Sequence, residues 1–217
     1  APDILACAQC HVEYYFPADT KATVLPYAGH ENTTPEAIYN YFQEMDFADF
    51  VNPRTGTRMI KVQHPEFETY TGAGSVHAST YSCADCHMGK VKNEAGDTYS
   101  SHTLKSPLNS PEIVASYAGC HQDLSGMVAG IQEEIEKRTY EIADKLVVLT
   151  NALADKVTAG ADDKELDPIR ALNREAQFYW DFVFVENSEG AHNSRLSRQC
   201  LDKAEELTAQ ALELLGI

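Results

Sequence analysis

One five-residue pattern, present twice, constrains this chain more than anything else in it: Cys7-Ala-Gln-Cys10-His11 and Cys83-Ala-Asp-Cys86-His87. C-x-x-C-H is the attachment signature of c-type haem. The spacing suits the chemistry. Two thiols three positions apart reach the two vinyl groups on one porphyrin edge, and the adjacent His turns under the ring to ligate iron. A lone C-x-x-C also serves zinc sites and redox pairs. A zinc site closed by two such pairs would not require a His after each, so the repeated His favours haem. Porphyrins held this way replace side chains as core. The hydrophobic fraction of 43%, just under the ~45–50% of an average globular domain, is lean in the same sense.

A third copy of the frame is incomplete. Tyr117-Ala-Gly-Cys120-His121 carries Tyr where the first Cys belongs. One reading is a haem held by a single thioether at Cys120, with His121 as iron ligand; the other is a coincidental Cys-His pair. Cys200 has no partner at motif spacing and falls on an apolar helix face, as a buried free thiol does; a Cys120–Cys200 disulfide is the competing reading. Beyond His11, His87 and His121, five histidines remain. His77, His102 and His192 lie in turn-like contexts (GAGSVH, YSSH, EGAHN) that can present second axial ligands. His30, in the polar YAGHENTT, reads as surface.

Charge excludes several partners. With 17 Lys+Arg against 33 Asp+Glu the formal charge is −16, and the pI is about 4.8. Nucleic acid and anionic lipid both call for basic surfaces. No apolar run approaches the roughly 18 residues that span a bilayer. The 217 residues suit one or two domains. The opening APDILACAQCH has neither the basic nor the apolar part of a secretory leader. The expectation is that a leader has been removed or that the chain belongs to a longer one.

Two regions follow from composition. Residues 1–122 hold every motif and are rich in Gly, Pro, Ser, Thr, Asn and Tyr. They read as short helices and long loops wrapped around haems, with one clear helix over 35–45 capped by Thr33 or Thr34 and led by Pro35, and no convincing strands. Residues 123–217 read as long helices. Ile131, Ile135, Ile142, Leu146, Leu149 and Leu153 recur at helical steps over 123–159, and Gly160 follows as a stop. Asp167-Pro168 opens a second helix to about Asn187, and Ser188-Glu-Gly190 breaks it. The last runs over about 192–215 through Leu196, Cys200, Leu201, Ala204, Leu207, Ala211 and Leu215. These stripes can pack a core, meet a second copy of the chain, or both. The expected fold is mainly α: an irregular haem-wrapping region followed by long C-terminal helices.

Four blocks carry a family resemblance. CAQCHVEYYF (7–16), KVQHPE (61–66), CADCHM (83–88) and YSSHTLKSPLN (99–109), in this order and followed by a helical tail with EGAHNS, resemble the pentahaem cytochrome c nitrite reductases, the ammonia-forming enzymes. The resemblance covers essentially the whole chain but only the C-terminal portion of the family's chain.

The resemblance implies roles residue by residue. Cys7, Cys10 and His11 match the attachment of the family's third haem, and Cys83, Cys86 and His87 that of the fourth. Cys120 and His121 match the fifth, with Tyr117 departing from the pattern. His77 would be distal to the Cys120 haem and His192 to the Cys83/Cys86 haem. His102 would serve a haem whose attachment motif is absent here. Tyr14 and His64 match substrate-pocket residues. A calcium would take the Glu13 carboxylate, the Gln63 side-chain oxygen and the carbonyls of Tyr14 and Lys61, a hard oxygen set that suits that ion. Read without the resemblance, Glu13 is a solvated charge, Tyr14 a haem-packing aromatic and His64 a distal haem ligand.

Two departures limit what the resemblance implies. The family's catalytic haem has a lysine ligand from C-x-x-C-K, and no such motif occurs here; the pocket arginine also lies outside this sequence. Six-electron reduction of nitrite to ammonium is therefore expected of this chain only as part of a larger assembly, with further haems from missing sequence or another chain. The competing reading is a non-enzymatic multihaem electron carrier derived from the same fold. Covalent haem attachment occurs on the exported side of the membrane, which implies the periplasm. The resemblance further implies a quinol-oxidising membrane cytochrome as electron donor, and the long amphipathic helices are expected to form a homodimer interface. A field of −16 repels nitrite, so the site itself must be locally positive.

Overall fold

A computed structural model describes residues 4–217. The irregular region contains α1 (Ile4–Cys7), α2 (Pro35–Glu44), α3 (Glu66–Thr71), α4 (Cys83–His87) and α5 (Pro111–Ser116), followed by three long helices, α6 (Leu124–Thr158), α7 (Asp163–Phe184) and α8 (Ser194–Leu215). The mainly α, loop-then-helix architecture matches the expectation. Among the described residues no helix is long and apolar enough to cross a membrane.

The helix ends follow local chemistry. Thr34 accepts the Ala37 N–H at 3.2 Å and Pro35 takes the first helical position of α2. Asp123 caps α6 by accepting the Gly126 N–H at 2.8 Å, and Asn193 caps α8 through the Leu196 N–H at 3.1 Å. The start of α7 differs from the sequence signal. It begins at Asp163, because Asp162 accepts the Lys164 N–H at 2.8 Å and Asp163 and Glu165 bring acidic groups to the first turn. Pro168 falls inside the helix, early enough to forgo one backbone bond without breaking it. The helix stops at Phe184 rather than near Asn187.

Short strands are present where none was expected. β1 (Phe50–Val51) pairs antiparallel with β2 (Arg58–Met59), and β3 (Lys90–Lys92) with β4 (Thr98–Ser100). Two or three residues are too few to show an alternating pattern. They form because the turns are good: Asn93 Oδ1 accepts the Asp97 N–H at 2.8 Å.

The long helices bury their stripes against one another. Ile135, Ile142, Leu149 and Leu153 of α6 face Leu166, Ile169, Phe178 and Phe182 of α7 and Leu201, Ala204, Leu207 and Ala211 of α8 in one cluster. Cys200 is buried in it as a free thiol, and burial pushes the thiol up to about 12. The irregular region joins the same core through α2 and the 60–62 strip: Tyr39 packs on Phe178 at 5.3 Å, and Ile60 and Val62 are buried. Arg174 of α7 ties this junction by donating to the carbonyls of Phe47 and Arg58, at 2.6 Å each.

The stretch bearing the second and third motifs is built differently. Between residues 72 and 134 only Ser82, Gly89, Ser101 and Ile113 are buried. So long a run without a side-chain core needs something else to pack against.

Candidate haem and calcium site

The attachment frames share one local backbone turn. In the first, the N–H groups of Cys10 and His11 both donate to the Cys7 carbonyl, at 3.1 and 2.9 Å. In the incomplete frame, Cys120 and His121 both donate to the Tyr117 carbonyl, at 2.9 Å each. Replacing the first Cys by Tyr has left that turn intact. The Tyr117 side chain reaches the neighbouring motif instead, where its hydroxyl donates to the Asp85 carbonyl. Burial, the adjacent Cys86 and Asp85 hold the phenol above its ordinary range. Burial and the nearby Cys7 push the Cys83 thiol up to about 11.

Histidines meet in pairs across the chain. The rings of His77 and His121 stand 5.9 Å apart at 72°, and those of His87 and His192 stand 6.1 Å apart at 67°. Two imidazoles sharing a metal ion, each about 2.0–2.1 Å from it, have ring centres about 6 Å apart. Each pair joins a motif histidine to one from a distant turn-like segment, so both fit the two axial positions of one haem iron. The second nitrogens are also engaged. His87 Nδ1 lies 3.1 Å from the Lys105 carbonyl, and His192 Nδ1 lies 2.6 Å from Glu186 Oε1. A Nδ1 fixed this way leaves Nε2 for a metal. His102 is oriented similarly, its Nδ1 2.8 Å from the Ser100 carbonyl, but it is exposed and is not among the paired rings. His30 is exposed and packs edge-on against Phe67 at 5.7 Å. A cavity of about 500 Å3 opens between α1 and α3, walled by Ile4, Leu5, Phe67 and Thr71.

The 13–14 and 61–64 segments come together beside the first motif. Glu13 is fully buried. Its Oε2 accepts the Gln63 N–H at 2.7 Å, while its Oε1 is buried without a partner. Burial pushes this carboxyl well above the ordinary range, the Gln63 N–H opposes, and the charges of Glu68, Asp181 and Asp49 add to the rise. Glu68 is also fully buried and is pushed up to about 7 by burial, although the Tyr27 hydroxyl donates to it at 2.6 Å and the Glu13 N–H at 3.0 Å. Asp181 is pushed up to about 6 by burial while it accepts the Val62 N–H at 2.9 Å. The Gln63 amide lies 3.3 Å from the Lys61 carbonyl.

Glu13 Oε1 and Glu68 Oε2 are both buried without a partner, and the Glu13 N–H and the Gln63 N–H tie the two carboxylates into one pocket beside the 61–63 strip. This set fits a hard divalent cation taking oxygen ligands. Among the described residues no group of three or more His, Cys, Asp or Glu is arranged to hold a metal, so side-chain carboxylates alone do not make up a ligand set and backbone or amide oxygens must contribute.

His64 and Tyr14 lie above this ground. Their rings are 6.3 Å apart at 29°, and the His64 side chain is about half exposed, at 47%. Its Nδ1 lies 3.9 Å from Glu66 Oε1, and His11 Nδ1 lies 3.6 Å from Glu66 Oε2. The His64 ring is also 6.2 Å from that of His11, the spacing of the other two pairs. Sequence reasoning missed Glu66, Glu68 and Glu186. Nothing separates these glutamates from the solvated ones along the chain; only burial in the fold does.

The family model for cytochrome c552 matches residues 3–216. Cytochrome c nitrite reductase subunit NrfA of Nitratidesulfovibrio vulgaris is 35% identical over 97% of this chain, which covers 44% of that protein. The structure of the catalytic subunit of cytochrome c nitrite reductase from Desulfovibrio desulfuricans, described as having two calcium sites, superposes with a TM-score of 0.85 at 31% identity. It covers 98% of this chain and 48% of its own. The chain thus spans less than half the length of these relatives.

Proposed function

The chain belongs to the cytochrome c552 family, and on that premise we propose that it forms part of a periplasmic, ammonia-forming cytochrome c nitrite reductase. In this reading Cys7, Cys10 and His11, then Cys83, Cys86 and His87, and finally Cys120 and His121 hold haem c. His77 and His192 supply second axial ligands, and His102 serves a haem from outside this sequence. Glu13 and Gln63, with the carbonyls of Tyr14 and Lys61, hold calcium. Residues 1–122 act as the haem-binding region, and 123–217 as a helical region carrying a dimer face on which α6 exposes Tyr140, Val147 and Val148.

The observation that carries the enzymatic reading is the buried Glu13 carboxylate, which accepts the Gln63 N–H and so joins the two segments that present the Tyr14–His64 pair. An electron carrier has no use for an ion site that braces two proton-bearing side chains, the half-buried Tyr14 and the exposed His64. Haem c supplies electrons one at a time when attached, and calcium adds positive potential beside an anion site when bound. The reaction takes one nitrite, six electrons and eight protons to one ammonium and two waters. This chain's own contribution is protons and orientation. The Tyr14 hydroxyl donates hydrogen bonds to nitrite oxygens. With Nδ1 turned toward Glu66, His64 presents Nε2 as the proton-donating nitrogen. Half exposure lets His64 regain its proton from water between steps. The missing lysine-ligated haem and arginine come from sequence beyond this chain, and a quinol-oxidising membrane cytochrome delivers the electrons.

The 6.2 Å spacing of His64 and His11 favours a second reading, in which His64 is the distal ligand of the Cys7/Cys10 haem and the protein is an electron carrier. The discriminating experiment supplies the native haem-loaded assembly that contains this chain with nitrite and a low-potential reductant and quantifies ammonium. Stoichiometric ammonium supports the enzyme, and reduction of the haems without nitrite turnover supports the carrier.

A further inference from the structure

The two histidines of the His87–His192 pair lean on acceptors of unequal strength. His87 Nδ1 meets a neutral carbonyl, that of Lys105, at 3.1 Å. His192 Nδ1 meets a carboxylate oxygen of Glu186 at 2.6 Å, and the Glu186 side chain is only 2% exposed. We propose that Glu186 is a positioning residue that sets the reduction potential of the haem at Cys83 and Cys86, by making its axial ligand His192 electron-rich. This inference rests on the haem reading above.

The carboxylate is held for that task. Its Oε2 accepts the Ser188 hydroxyl at 2.6 Å, and Oε1 accepts the Ser188 N–H at 3.3 Å. The same Ser188 oxygen accepts the His192 N–H at 2.9 Å. Gly190 makes this turn possible: its φ is +90°, and a Cβ there would stand 2.7 Å from the Ile135 side chain. The Asn193 amide donates to the Thr69 carbonyl at 3.1 Å and so anchors the turn to α3. Glu186 and His192 therefore stand in one fixed arrangement, with Tyr70 edge-on to the imidazole at 6.1 Å.

The chemical consequence has a sign. Hydrogen bonds to ionised acceptors are about twice as strong as neutral ones. A carboxylate on the far nitrogen makes a ligating imidazole more basic, and a more basic ligand favours ferric over ferrous iron. Hydrogen bonds to the far nitrogen of a ligating histidine are a recognised lever on haem potential. Glu186 thus lowers the potential of this haem. Among the described residues no carboxylate is hydrogen-bonded to a ring of the His77–His121 pair, so the two haems are tuned apart.

The test is spectroelectrochemical titration of the haem-loaded protein, with Glu186→Gln compared with the unaltered form. Loss of the carboxylate should reduce the ferric preference of that haem about tenfold, from the 10–100-fold range of outer-shell effects, a rise of about 59 mV for one electron. Ser188→Ala removes the donor on the other carboxylate oxygen, leaves more charge on His192, and should shift the same potential downward. Opposite shifts in the two variants, with low-spin bis-histidine spectra retained, support the proposal. If Glu186→Gln does not assemble, a downward shift in Ser188→Ala still supports it and an unchanged or raised potential overturns it. Unchanged potentials in both variants, or shifts in one direction, overturn it. Absence of haem on the Cys83–Cys86 peptide of the unaltered protein would instead mark failure of the haem reading.

Discussion

Replacing Glu13 by Gln should invert the protein's response to calcium. In the fold Glu13 is fully buried, its Oε1 has no partner, and Glu68 and Asp181 add like charge nearby. A calcium held at Glu13, as proposed, would compensate this charge, and binding at a hundredfold excess over Kd should stabilise the native state by about 2.7 kcal/mol. For a chain of this size that corresponds to a rise of about 5–11 °C in Tm. Gln keeps the shape and can still accept the Gln63 N–H that Glu13 Oε2 accepts at 2.7 Å, but it removes the charge. In chelator the variant should therefore be more stable than the unaltered protein, by about 1–2 kcal/mol, in the lower part of the range for an unsatisfied buried group and less than the gain from calcium. In calcium the order should reverse. Thermal unfolding followed by circular dichroism, with and without chelator, gives the four values needed. If calcium raises both forms equally, or neither, or if the variant is the less stable in chelator, the cation assignment of Glu13 is wrong.

Further outcomes follow from individual side chains. His64→Ala should leave the number of low-spin bis-histidine haems unchanged in the electron paramagnetic resonance spectrum while ammonium formation falls at least a hundredfold, within the range of lost acid–base catalysis; loss of one low-spin signal would instead make His64 a haem ligand. Tyr117→Cys should restore a second thioether at the Cys120 haem, and the pyridine haemochrome band should move to the position of a doubly attached haem. Cys200, buried with a thiol pushed up to about 12, should resist alkylation at pH 8–9 until the chain is unfolded; labelling of the native protein at the rate of a free thiol would contradict its place in the core. Leu201→Ala, in the centre of the three-helix core, should cost about 2–5 kcal/mol in denaturant unfolding.

What the sequence made legible was whatever is encoded locally. The C-x-x-C-H frames are local turns, and the turn is the same with Tyr117 at the first position. The stripes of α6 and α8 are periodic over many residues, so both helices were readable to within about two residues. The start of α7 was misread because the Asp-Pro signal at 167–168 competes with a stronger cap at Asp162. The hairpins at 50–59 and 90–100 were invisible because their strands are too short to carry a period. Most of the candidate site's environment was hidden for a different reason. Glu66, Glu68 and Glu186 are three of 33 acidic residues in a chain of −16. Glu66 and Glu68 gain their significance from distant segments, Asn187 against Glu66 and Tyr27 against Glu68, and Glu186 from a turn that folds it onto His192; a single sequence carries no mark of either.

The histidine pairings were reachable only through the family resemblance, and the fold brings the rings of His77 and His121, and of His87 and His192, to about 6 Å. The central claim, that this chain is wrapped on covalent haem, is tested most directly by mass spectrometry of the peptides around the three frames, on protein isolated from its native compartment. One haem on the peptide with Cys7 and Cys10, one on the peptide with Cys83 and Cys86, and one on the peptide with Cys120 is the predicted result. Unmodified thiols, a disulfide or a stoichiometric zinc on the first two peptides would contradict it.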